Sequence, residues 1–261
     1  MNHTLNFTAA ALVALLAGPA SAHDIVLQPI RDGVAVRYGH AQDWQPVQPD
    51  KLIELQLFRT ATDLPQDAQP ALKPTGNEYL LTLAEGAAKP LLVAARYDNG
   101  LWSRMPVAGG GTPVARNTTR FMLPDATLVT NNLKFAKGLV GSADDAGVYK
   151  RVLGHLLELV PQRNPAALKA GELLEVLVLL RGKPLAGAGV EVSNLGDKLP
   201  EEQIRRWTTD AQGIARVELR PRGVNTLAVD VDVPNDGSLG EASRTVGADK
   251  FVLIATYTFN R

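Results

Sequence analysis

From Asp24 onward the chain is a succession of short apolar runs set between clusters of Gly, Pro, Asn and Asp. That punctuation constrains the fold more than any other feature, because runs of this length bounded by turn residues read as strands. Lys51-Leu52-Ile53-Glu54-Leu55-Gln56-Leu57 alternates apolar and polar residues over most of its length, as a half-buried strand does. The first half supplies strands at Asp24–Gln28, Gly33–Tyr38, Lys51–Arg59, Glu78–Leu83, Lys89–Tyr97 and Leu101–Met105. The second half supplies Leu156–Val160, Leu173–Leu180, Gly189–Ser193, Ile214–Leu219, Thr226–Val233 and Phe251–Phe259, with turns at roughly regular spacing. The expected class is all-β, two tandem β-sandwich domains with one or two short helices.

The helices are expected at Asn132–Leu139 and, as a single turn, at Pro200–Arg206. Thr60 to Thr75 and Ala108 to Pro113 read as loops. A polar, small-residue stretch around Ala143 to Arg151 marks the boundary, which gives an N-terminal β-rich domain over 23–145 and a C-terminal β-sandwich domain over 150–261. The 261 residues suffice for two cores, and 45% hydrophobic content is ordinary for globular proteins.

The N-terminus reads differently. Phe7 to Ala17 is an apolar run of signal-peptide length, shorter than the roughly 20 residues of a membrane-spanning helix. Gly18-Pro19 breaks it, and Ala20-Ser21-Ala22 has the small-x-small pattern that a signal peptidase cuts. The leader Met1 to Asn6 departs from the pattern in lacking Lys and Arg. Cleavage of a signal peptide over 1–22 gives an exported protein that starts at His23. No later segment is long and apolar enough to span a bilayer, so no membrane insertion is expected after cleavage.

Residues 1–22 contain no Asp, Glu, Lys or Arg, so the processed chain keeps all 27 basic and 27 acidic residues and a formal charge of zero. That balance argues against nucleic acid or an anionic membrane as the main partner. With no cysteine, disulfides, thiolate ligands and cysteine nucleophiles are excluded. There is no G-x-S-x-G, no H-E-x-x-H and no P-loop; Gly182-Lys183 is followed by Pro184. The adjacent carboxylates Asp144-Asp145 and Glu201-Glu202 fit solvated faces better than an acid/base pair. Trp44, Trp102 and Trp207 are scattered. No catalytic residue is expected.

Histidine is then the place to look for metal ligands. After cleavage His23, His40 and His155 remain. An N-terminal histidine offers its α-amine and ring Nδ1 to one ion, closing a chelate ring. A hairpin of the first two strands through Arg31-Asp32-Gly33 brings His40 to the same end as His23. Three nitrogens suit Cu(II) or Ni(II). Asp24 and Asp43 are possible oxygen donors, and nothing in the sequence selects either. His155, opening the second half's first strand, fits a structural role better than a ligand role.

Several motifs carry a resemblance. They are Ala22-His23-Asp24 with Pro29, Gly39-His40 and Lys134-Phe135-Ala136-Lys137, then Gly154-His155 through Pro161, Asn164-Pro165, Gly182–Gly187 and Thr209–Gly213. With these the chain resembles a family of periplasmic proteins, catalogued as a domain of unknown function, that is associated with nickel/cobalt uptake transporters. The Gly182–Gly187 and Thr209–Gly213 pair also resembles transthyretin-like and carboxypeptidase-regulatory-like sandwiches. No family ligand maps onto the stretch between Trp102 and Asn132. The resemblance implies a transition-metal-binding accessory protein that binds Ni(II) or Co(II), with Cu(II) as the tightest binder in a test tube. It implies a membrane metal transporter or an outer-membrane receptor as partner. The alternatives are a copper-dependent oxidative enzyme with an N-terminal histidine site, against which the 5% aromatic content weighs, and a metal-free scaffolding sandwich.

Overall fold

The computed structural model describes residues 23–40, 43–83, 91–106, 114–141, 147–169, 171–194, 204–239 and 247–261. The leader 1–22, the loop 108–113, the carboxylates at 144–145 and 201–202, and most of the expected turn at 200–206 lie outside them.

The first half contains β1 (Asp24–Ile30), β2 (Gly33–His40), β3 (Asp43–Gln45), β4 (Leu52–Phe58), β5 (Gln66–Asp67), β6 (Leu72–Thr75), β7 (Glu78–Thr82), β8 (Leu91–Arg104) and β9 (Val114–Arg116). The rest contains β10 (Leu128–Val140), β11 (Leu157–Pro161), β12 (Leu173–Leu180), β13 (Lys183–Pro184), β14 (Gly189–Asn194), β15 (Arg206–Thr208), β16 (Ile214–Glu218), β17 (Val224–Pro234) and β18 (Lys250–Asn260). The helical segments among the described residues are single 3₁₀ turns, such as Pro49–Lys51 and Val148–Lys150. The protein is all-β. The stretch 60–75, expected to be loop throughout, carries β5, a 3₁₀ turn and β6.

Three sheets form. One has the order β1-β2-β7-β6, with β3 added to β2. A second joins β11, β12 and β13, with β16 on β12. The third runs β15-β14-β17-β18-β10-β8-β4-β5, with β9 on β8. In it the last strand, β18, lies parallel to β10 from Thr130↔Lys250 to Leu139↔Phe259. Strands of both halves thus build one sheet, which the two sandwiches share.

Alternation along β8 assigns each sheet face to a different core. Leu91, Val93, Ala95 and Tyr97 pack with Ile25, Leu27, Val34 and Val36 of the β1–β2 sheet. Leu92 and Ala94 pack with Leu157, Val176, Val178 and Val217 of the β11–β12 sheet. A strand buried on both faces needs apolar residues at every position, which is why Leu91-Leu92-Val93-Ala94-Ala95 is a continuous run. Each fully buried aliphatic side chain contributes roughly 1.5–3 kcal/mol over leaving it exposed. On the β1 side the layers approach closely at Gly138, where a Cβ would stand 2.5 Å from the Leu27 carbonyl oxygen. Thr256 Oγ1 donates to the Ile25 carbonyl at 2.7 Å across the same contact.

The helix expected at Asn132–Leu139 is instead the middle of β10. Lys134 and Lys137, three apart, mimic the polar stripe of a helix. In the strand they point to opposite faces, and both are buried, at 1% and 2% exposure.

Candidate functional site

β1 and β2 form the hairpin expected from Arg31-Asp32-Gly33, with Ile30 opposite Gly33 and Asp24 opposite Gly39. That register carries His23 to the level of His40, and the two rings lie 5.3 Å apart between centroids. Gly39 makes the corner possible. Its φ of +134° belongs to glycine, and a Cβ there would sit 2.3 Å from the Asp43 carbonyl oxygen. β3 then returns along β2 with Asp43 opposite His40. Asp43 accepts from Gln45 Nε2 at 2.8 Å.

Behind the histidines stands a stack of rings. His23 lies against Tyr38 at 5.5 Å, and Tyr38 against the buried Tyr97 at 5.2 Å. The Tyr38 hydroxyl is hydrogen-bonded to the Asn99 side chain. Asn99 is a hub: its Oδ1 accepts from Lys51 Nζ at 3.2 Å, and its carbonyl accepts from Trp102 Nε1 at 3.1 Å. The face of Trp102 carries the Arg116 guanidinium, 4.6 Å from the ring centroid, because β9 places Arg116 opposite Trp102.

Burial depresses the basicity of His23, and the neighbouring His40, Lys134 and Arg116 add to this while Asp43 opposes it. This favours the neutral ring, the form that ligates metal. Asp24 keeps partial exposure at its edge, yet its carboxyl is packed among protein atoms. Burial pushes it up to about 6, with Asp230 adding and Lys134 opposing. Lys134 is pushed down to about 8 by burial, with Asp24 opposing. The charges of Asp24 and Lys134 bear on each other, and that of Lys134 also bears on His23.

His155 is not part of this cluster. It is 8% exposed and packs on Phe135 at 5.3 Å. Phe135 belongs to the core on the other face of the shared sheet, so β10 separates His155 from His23 and His40. Beside it lies a buried ion pair, Lys137 Nζ to Glu158 Oε1 at 2.6 Å. Lys137 also donates to the carbonyls of Arg151 and Leu159. Glu158 accepts from the backbone N–H groups of Leu153 and Gly154. The three tryptophans sit on three strands, each under a different arginine: Arg37, Arg116 and Arg205.

Among the described residues no three or more His, Cys, Asp or Glu side chains gather to hold an ion. The pair brings two imidazoles together. The sequence reading missed Asp24–Lys134, Tyr38, Asn99, Lys51 and Arg116. Lys134 and Lys137 stood out in sequence, but no local signal says which face each occupies.

Residues 20–232 match the model of the domain of unknown function DUF4198. The chain belongs to this family. A relative is an uncharacterized protein of Haemophilus influenzae, 32% identical over 188 residues, which covers 71% of this chain and 74% of that one. Among solved structures, the Bacillus anthracis TIE protein aligns with 92% of this chain at 14% identity and a TM-score of 0.15, and this chain spans 39% of its length.

Proposed function

We propose that the protein is a periplasmic transition-metal-binding accessory protein that begins at His23 and serves nickel or cobalt uptake. The observation that carries the reading is the 5.3 Å pairing of the His23 and His40 rings. The α-amine and Nδ1 of His23 and a ring nitrogen of His40 form the donor set. Three nitrogens without thiolate favour borderline divalent ions, and Cu(II) binds tightest in vitro whatever ion is carried in the cell. The partner is a membrane metal transporter or an outer-membrane receptor. Nickel and cobalt rest on the sequence resemblance alone.

Intact mass of the exported protein, taken natively with Ni(II), Co(II) or Cu(II), tests this. The expected result is a chain starting at His23 that retains one ion. His23→Ala, His40→Ala and an N-terminal extension that leaves His23 in place should each weaken binding at least tenfold, since each removes a donor. Equal binding by the extended protein removes the amine from the donor set.

The same pair supports a copper oxidative enzyme as a second reading, favoured by the Tyr38–Tyr97 stack at 5.2 Å behind His23. Oxidised sugars from glycans treated with copper-loaded protein, a reductant and an oxidant would establish it over the accessory role.

A further inference from the structure

Among the cations near the histidine pair, Arg37 bonds Glu78, Lys134 feels the charge of Asp24, and Lys51 feels those of Asp50 and Asp98. Arg116 is exposed. Among the described residues its guanidinium makes no ion pair; what fixes it is the face of Trp102. Trp102 and Lys51 both bond Asn99, so the guanidinium on Trp102 stands on the Lys51 side of the cluster, and its charge bears on His23 and Tyr38 as well.

A guanidinium held over an aromatic face needs no carboxylate to stay there and still has N–H donors in a fork that matches one. A bare divalent ion on the histidines would be repelled by this cation. An ion that brings a carboxylate with it would be attracted. The three-nitrogen donor set leaves coordination positions open for such a ligand. We propose that Arg116, seated on Trp102 and flanked by Lys51, forms a carboxylate subsite, so that the protein takes its metal as a complex with a small organic polycarboxylate. This rests on the metal site proposed above.

The test uses the protein processed to His23, titrated with Ni(II) alone and with Ni(II) premixed with citrate, and read by calorimetry and native mass. Wild type should hold nickel and citrate together, one of each. Arg116→Gln should take the nickel–citrate complex about tenfold more weakly, the loss expected of one charged hydrogen-bonded pair, while binding Ni(II) alone more tightly. Arg116→Lys, which keeps the charge without the fork, should fall between the two. Citrate that merely strips nickel from wild type, or equal uptake of nickel–citrate by wild type and Arg116→Gln, would overturn the subsite and leave the metal site standing. Failure of wild type to bind Ni(II) alone and nickel–citrate alike would overturn both.

Discussion

His155 should make this fold sensitive to acid. Burial, with Lys137 and Arg96 nearby, pushes its pKa down from 6.5 to about 3. The unfolded chain therefore binds a proton below about pH 6.5 that the folded chain refuses until about pH 3. Stability attributable to this group is constant above pH 6.5 and falls as the pH drops through that window. The limiting slope is about 1.4 kcal/mol per pH unit. Between pH 6 and pH 4.5 the loss comes to about 2 kcal/mol, and over the whole window to about 5 kcal/mol, an upper figure. Asp24, raised to about 6, works in the opposite sense, because its protonation favours the folded state as the pH falls. The informative quantity is therefore the difference between wild type and His155→Phe, which keeps a ring against Phe135. Denaturant midpoints at pH 7, 6, 5 and 4.5 should converge or cross for the two proteins as acid is added, with wild type losing about 2 kcal/mol more between pH 6 and 4.5. Parallel losses would refute the assignment of a neutral, buried imidazole. The same variant should bind Ni(II) like wild type, because β10 stands between His155 and the histidine pair.

Two further outcomes follow from the geometry. Glu158→Gln leaves Lys137 buried without its counter-charge and sets an amide donor against a backbone N–H, so chemical denaturation should register a loss of about 3–5 kcal/mol; a loss below 1 kcal/mol would mean that the lysine relaxes to solvent. Gly39→Ala forces a methyl toward the Asp43 carbonyl at a φ of +134°, and should cost about 1–3 kcal/mol in a thermal or denaturant melt while lowering Ni(II) affinity by displacing His40.

What was legible in the sequence was local. The hairpin of β1 and β2 could be read because Asp32-Gly33 is a turn and the flanking runs are short, and with it came the approach of His40 to His23. The shared sheet could not be read. Parallel pairing of β10 with β18 joins residues more than a hundred positions apart, and no local pattern encodes it. Burial on both faces also removed the period-2 signal from β10. Lys134 and Lys137, polar residues three apart in an apolar run, then imitated a helix. Arg116 lay in a stretch with little patterning, and its importance comes entirely from the neighbours that β8 and β9 bring to it.

The shared sheet also explains how one short motif serves two purposes. In Lys134-Phe135-Ala136-Lys137, alternation sends Lys134 toward Asp24 under the histidine pair and Lys137 toward Glu158 in the opposite core. On the Glu158 side every donor of Lys137 is used, by one carboxylate and two carbonyls, so that pair fixes the start of the second half against β10. Among the described residues Asp24 is the carboxylate whose charge bears on Lys134, and burial moves the two groups to about 6 and about 8. A fully bonded ion pair makes a rigid joint. A pair whose two groups titrate close to neutral pH remains responsive to a charge brought near it. The two lysines differ because one faces a closed core and the other faces the end of a hairpin where the chain has its candidate ligands.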